Sequence, residues 1–106
     1  MKRYEGKRCN GITEVSVNGV PLNPRLDLRK HSVTGFEWGY GGSGPAQLAL
    51  ALLADHLAND EKAMELYQDF KQRVITTLSH NNWSLTSADI DEALKFIPIQ
   101  NEAVDL

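Results

Sequence analysis

The chain has 106 residues, 42% of them apolar and 24% charged, with a net charge of −3, a balance that excludes wholesale disorder and suffices to bury a core without a metal or disulfide staple. Cys9 is the only cysteine, so no internal disulfide forms and a reducing, cytoplasmic setting is expected. Polar chain follows Met1–Arg8 where a secretion signal would be apolar, and the longest strongly apolar run, Leu48–Ala54, is far short of the ~20 residues of a membrane span, so no membrane partner is expected.

In chain order, Lys2–Lys7 reads as a strand and Cys9-Asn10-Gly11 as a connecting turn. Ile12–Val17 alternates around Val15 and Val17 and runs into Asn18-Gly19, then Val20-Pro21-Leu22. Asn-Gly between apolar stretches predicts a hairpin, because both turn positions need positive φ. Pro21 cannot donate to a ladder, so the returning strand is short or lies at an edge. Asn23–Asp27 reads as an irregular connection. Val33–Trp38, rich in β-branched and aromatic side chains, reads as a short strand.

Gly39-Tyr40-Gly41-Gly42-Ser43-Gly44 leads into Pro45, which suits the first turn of a helix, with Ser43 or Gly44 as its cap. That helix runs to about Leu57. It is apolar nearly all round, which marks it as the central core element with Leu50 and Leu53 buried. Asn59 caps a second helix reaching about Ser79, with Ala63, Leu66, Tyr67, Phe70, Val74 and Leu78 as its inner stripe. His80-Asn81-Asn82 breaks the pattern. Thr86 and Asp89 form a capping box for a third helix over Ser87–Ile97, which Pro98 ends. The expected fold is α+β: a small antiparallel sheet packed on a three-helix unit, in one domain over residues 1–99, with 100–106 as a tail.

Phe36-Glu37-Trp38-Gly39-Tyr40-Gly41-Gly42-Ser43-Gly44-Pro45-Ala46-Gln47-Leu48-Ala49-Leu50-Ala51-Leu52-Leu53 resembles the signature of a family of small uncharacterised proteins, a domain of unknown function. Leu66–Lys71 and Trp83–Thr86 resemble that family too. The resemblance implies a compact accessory protein of bacteria, archaea and their mobile elements, phages or plasmids among them. It brings no activity, so no catalytic residue is carried over and no cofactor is implied.

Residues 39–44 satisfy G-x-G-x-x-G after an expected strand and before a helix, as in a dinucleotide site. The companion parallel strand and its acidic residue are missing, and no Lys follows for a Walker A loop. A generic anion site remains. Free N–H groups at a helix start, backed by the helix dipole, favour phosphate, and glycines allow close approach. Trp38 or Tyr40 could form a wall, and Arg25, Arg29 or Lys30 could supply charge. The structural alternative is a tight turn that lets an Ala-rich helix pack closely. Four glycines in six residues cost chain entropy, which favours a functional reason.

Other motifs are weaker. His31, His56 and His80 form no metal-binding spacing. Pro45 stands where a G-x-S-x-G elbow at Ser43 would need glycine, so an acylating serine is not expected. Asp55-His56 could be an acid–base pair, or His56 could complement its helix end. Seven basic and four acidic side chains fall in residues 1–44, against four and ten in 45–106. No run of five like charges occurs, and nucleic acid is not an expected partner. The functional expectation is a non-enzymatic protein holding a phosphate-bearing small molecule, such as a nucleotide, at residues 38–44. The alternative is a protein–protein interaction module, inhibitor or homo-oligomer working through its acidic helical face.

Overall fold

A computed structural model describes residues 1–97; the expected tail at 100–106 and the domain end at 99 lie outside the described residues. Strand β1 (Arg3–Cys9) and strand β2 (Ile12–Val17) pair antiparallel, with Gly6 opposite Val15 and Tyr4 opposite Val17. Asn10-Gly11 joins them at φ 54° and 79°, and Asn18-Gly19 joins β2 to β3 (Val20–Pro21) at φ 50° and 84°. Both dipeptides thus adopt the left-handed turn that matches strand twist. Pro21 lies on the short edge strand, where its missing donor is harmless.

The fourth strand is not Val33–Trp38, which forms no ladder. It is β4 (Asn82–Thr86), placed where a chain break was expected, and it pairs antiparallel with the open side of β1. The sheet order is therefore β3-β2-β1-β4. Trp83 and Leu85 alternate with polar residues, the period-two pattern of a half-buried strand, and they oppose Gly6 and Tyr4 on the inner face.

Helix α1 (Ser43–Leu57) is buried continuously from Gly44 to Ala54. It starts earlier than expected, with Gly42 as its N-cap and no side-chain cap, so neither Ser43 nor Gly44 is the cap. Pro45 sits within the first turn, where no intrahelical donor is lost. Ala58 closes α1 in a left-handed conformation at φ 51°, and Asn59 at once caps helix α2 (Asp60–Arg73), accepting from the Lys62 N–H at 3.0 Å.

α2 stops at Arg73, short of Ser79, and a 3-10 turn over Ile75–Thr77 follows. That turn shifts the apolar register, so Ile75 is buried while Leu78 is only partly so. The Thr86–Asp89 capping box is formed, and helix α3 (Ser87–Leu94) ends before the buried Ile97. One core joins Tyr4, Val15 and Trp83 of the sheet to α1 and to Ala63, Tyr67 and Phe70 of α2. Leu50 and Leu53 are fully buried in it. Among the described residues, no helix is long and apolar enough to cross a membrane.

Candidate functional site

The segment between β3 and α1 has no regular structure, so its backbone is held by side chains. Gln47 of α1, fully buried, is the main anchor. Its Oε1 accepts from the N–H groups of His31 (2.7 Å) and Ser32 (3.0 Å), and its Nε2 donates to the carbonyls of Pro24 (2.6 Å) and Arg29 (3.1 Å). Thr13 Oγ1 of β2 donates to the Phe36 carbonyl at 2.7 Å, and Ser32 Oγ donates to that of Gly35 at 2.8 Å. Residues 33–38 form no ladder, and these side-chain contacts hold part of their backbone instead.

Beyond Phe36 the chain dives. Trp38 is buried, its Nε1 donates to the His80 carbonyl at 2.9 Å, and the Arg8 guanidinium lies 5.0 Å above its ring. The same guanidinium grips Glu37 at two points, 3.0 and 2.8 Å. Hydrogen bonding from Arg8 holds the Glu37 carboxyl below its ordinary pKa, and Glu37 in turn raises that of Arg8. Gly39 turns the chain at φ 88° and donates to the Ile75 carbonyl at 2.9 Å.

The loop then surfaces. Tyr40 is 52% exposed, and Gly41 and Ser43 are exposed. The Gly42 carbonyl accepts from the Ala46 N–H, whereas the N–H groups of Gly41, Gly42, Ser43 and Gly44 meet no acceptor among the described residues. Of these donors, those of Ser43 and Gly44, at an α1 first turn with no acidic residue, border a cleft of about 490 Å³ that Gly41 and Gly42 do not line. Ile12, Thr13, Ser32, Thr34, Glu37 and Tyr40 line it. Gly44 serves a second purpose: a Cβ there would stand 2.6 Å from that of Glu37, so the helix start packs directly on that side chain.

Sequence reasoning grouped ten residues here, and the fold sorts them. Tyr40 and the glycines share the loop, while Trp38 is turned inward. Arg25, at φ 56°, is engaged by Asp27 (3.0 Å) and by Asp60 at the start of α2 (2.8 Å). Arg29 and Lys30 are exposed, and Arg29 lies near His31 rather than at the glycines. The cation beside the loop is Arg8, which sequence reasoning missed. Its position on the inner face of β1, in line with Tyr4 and Gly6, was the available signal.

Asp55 and His56 do not pair with each other. Asp55 accepts from the Tyr4 hydroxyl (2.7 Å) and from Lys2 (3.0 Å), while His56 Nε2 meets Asp91 of α3 at 2.6 Å. Burial and the Asp55 contact hold the Tyr4 phenol far above its ordinary pKa. Among the described residues, no group of three or more His, Cys, Asp or Glu could hold a metal ion.

A family described as a family of unknown function (DUF6166) matches residues 4–96, and the chain belongs to it. No curated protein and no solved structure matches the chain.

Proposed function

We propose that this family member is a non-enzymatic binding protein that holds a phosphate-bearing small molecule, of nucleotide size, at the start of α1. The observation that carries the reading is the run of unpartnered N–H groups at Gly41–Gly44, of which Ser43 and Gly44 line an open cleft. The dipole of a 15-residue helix adds roughly half a positive charge at that point. Exposed Tyr40 and Ile12 on the same cleft offer an apolar surface to the organic part of the ligand. Glu37 lines the cleft as well, but its charge is matched by Arg8, so the backbone donors supply the attraction. The resemblance to proteins of mobile elements extends the proposal to an accessory role on a phage or plasmid, in the cytoplasm.

Calorimetry with ATP, GTP and cyclic AMP tests it. At least one should bind, and Gly42→Val should abolish binding with little change in Tm. A Cβ at Gly42 meets only the exposed Tyr40 ring, at 3.0 Å, so the fold tolerates it. Absence of binding to all three overturns the reading. The second reading is then an interaction module, favoured by exposed Glu61, Glu65 and Asp69 on α2, which form no ion pair among the described residues.

A further inference from the structure

The sheet has two edges, and they are made differently. β3 is two residues long and carries Pro21, features that discourage a further strand from joining. β4, at the other edge, is five residues long with no proline and no charged side chain. Among the described residues, no strand lies beyond it.

The ladder fixes which groups of β4 face outward. The Arg8 N–H donates to the Asn81 carbonyl at 2.8 Å, and the Ser87 N–H to the Lys2 carbonyl at 2.9 Å. Hydrogen-bonded positions alternate along an antiparallel pair. Asn81, Trp83, Leu85 and Ser87 therefore turn their N–H and C=O groups toward β1, and Asn82, Ser84 and Thr86 turn theirs away. The outward Thr86 N–H is already taken by Asp89 Oδ2, at 2.9 Å. That leaves Asn82 and Ser84, both exposed, each with a backbone donor and acceptor that meet no partner among the described residues.

We infer that β4 joins β4 of a second copy, antiparallel, about a two-fold axis at Trp83. Asn82 of each copy then faces Ser84 of the other, and each residue exchanges its N–H and C=O with the residue opposite. Every outward group of both residues is satisfied. Centring the pair on Ser84 would instead set Asn82 against Thr86, whose N–H is spent, so the capping box that ends the strand selects the register. Charge agrees with this pairing. On the exposed face, Lys7 neighbours Asn82 and Glu5 neighbours Ser84. Each row across the joint therefore runs Lys7, Asn82, the partner's Ser84, the partner's Glu5, with opposite charges at its two ends.

A joint between single short strands belongs to the small, transient class of contacts, so the full chain is studied up to millimolar concentration. Sedimentation should show a reversible monomer–dimer equilibrium. The Asn82 and Ser84 amides should exchange with solvent more slowly as the dimer fills, by about tenfold once roughly nine chains in ten are paired. Ser84→Pro removes an outward N–H and no bond to β1, and it should abolish the dimer. N82K/S84K and N82E/S84E should each be monomeric, because like charges face each other across the axis, and an equimolar mixture of the two should restore the dimer. That mixture carries the test if Ser84→Pro fails to fold. A native chain that stays monomeric at millimolar concentration overturns the proposal, as does a dimer with an unprotected Ser84 amide or one that either charged variant forms alone. A Ser84 amide protected at every dilution means that the chain covers its own edge, and overturns it too.

Discussion

The sheet with its helices and the irregular stretch from 22 to 42 solve one problem in two ways. Every buried backbone N–H and C=O must find a partner. In the sheet, β1 finds its partners on both sides through regular ladders, with residues paired one to one from Tyr4–Val17 to Cys9–Ile12. In the stretch from 22 to 42, scattered contacts do the work: side chains of Gln47 from α1, Thr13 from β2, and Asn23 and Ser32 locally, with a few isolated backbone bonds such as that of the Gly39 N–H to the Ile75 carbonyl. The first solution is cooperative and repeats. The second depends on a few contacts between residues distant in sequence. Long connections without secondary structure are uncommon in compact folds and are often functional, and the candidate cleft here is walled in part by this one.

Breaking the regular region should have the largest effect. Leu50→Ala or Leu53→Ala removes a fully buried side chain from α1 and should cost ~2–5 kcal/mol, read as a loss in denaturant midpoint. Two variants that melt with the parent would remove α1 from the centre of the core.

Gln47→Leu sharpens the contrast. It keeps the bulk of the side chain in α1 but strips four hydrogen bonds from the connection, leaving buried backbone groups unpaired. The expected cost is about 2–3 kcal/mol. Hydrogen exchange should accelerate at His31 and Ser32 far more than in β1 or β2. A uniform acceleration across the chain would show that the two regions open as one.

The smallest effect is on pH. His31 Nε2 meets the Tyr67 hydroxyl at 2.7 Å, and burial first, then the charges of Arg29 and Lys71, lower the His31 pKa below 6.5. The unfolded chain therefore binds the proton more readily than the folded one. Stability should fall as pH drops below the unfolded value near 6.5, and level off below the folded value. His31→Gln should flatten that slope in melts between pH 7 and 5. An unchanged slope would assign it to another group.

Legibility followed the same division. The two Asn-Gly turns, the edge position of Pro21, the Asn59 cap and the Thr86–Asp89 box were readable because each rests on neighbours in sequence. The strand at Asn82–Thr86 was misread because the asparagines before Trp83 suggest a break, and only the open side of β1 turns it into a strand. Val33–Trp38 has strand composition, yet Thr13 and Gln47 capture the chain on either side of Val33, and no local signal reveals them. The glycine-rich approach to α1 was legible as a loop ending at a helix start near Pro45. Its cation was not, because Arg8 reaches Glu37 and Trp38 only across the folded sheet.

The order of strands has a consequence in time. β1 is central, yet its two partners are made at very different moments: β2 directly after it, β4 only after α1 and α2. During synthesis one flank of β1 stays unpaired until residues 82–86 emerge. Closing it requires a contact across most of the chain, the kind of long-range step that slows folding. The Ser87 N–H to Lys2 carbonyl bond, 2.9 Å, continues that late closure past the end of the strand. A nascent chain therefore carries an open strand edge through most of its elongation, and the arrival of Trp83 over Gly6 marks the moment at which that edge is sealed.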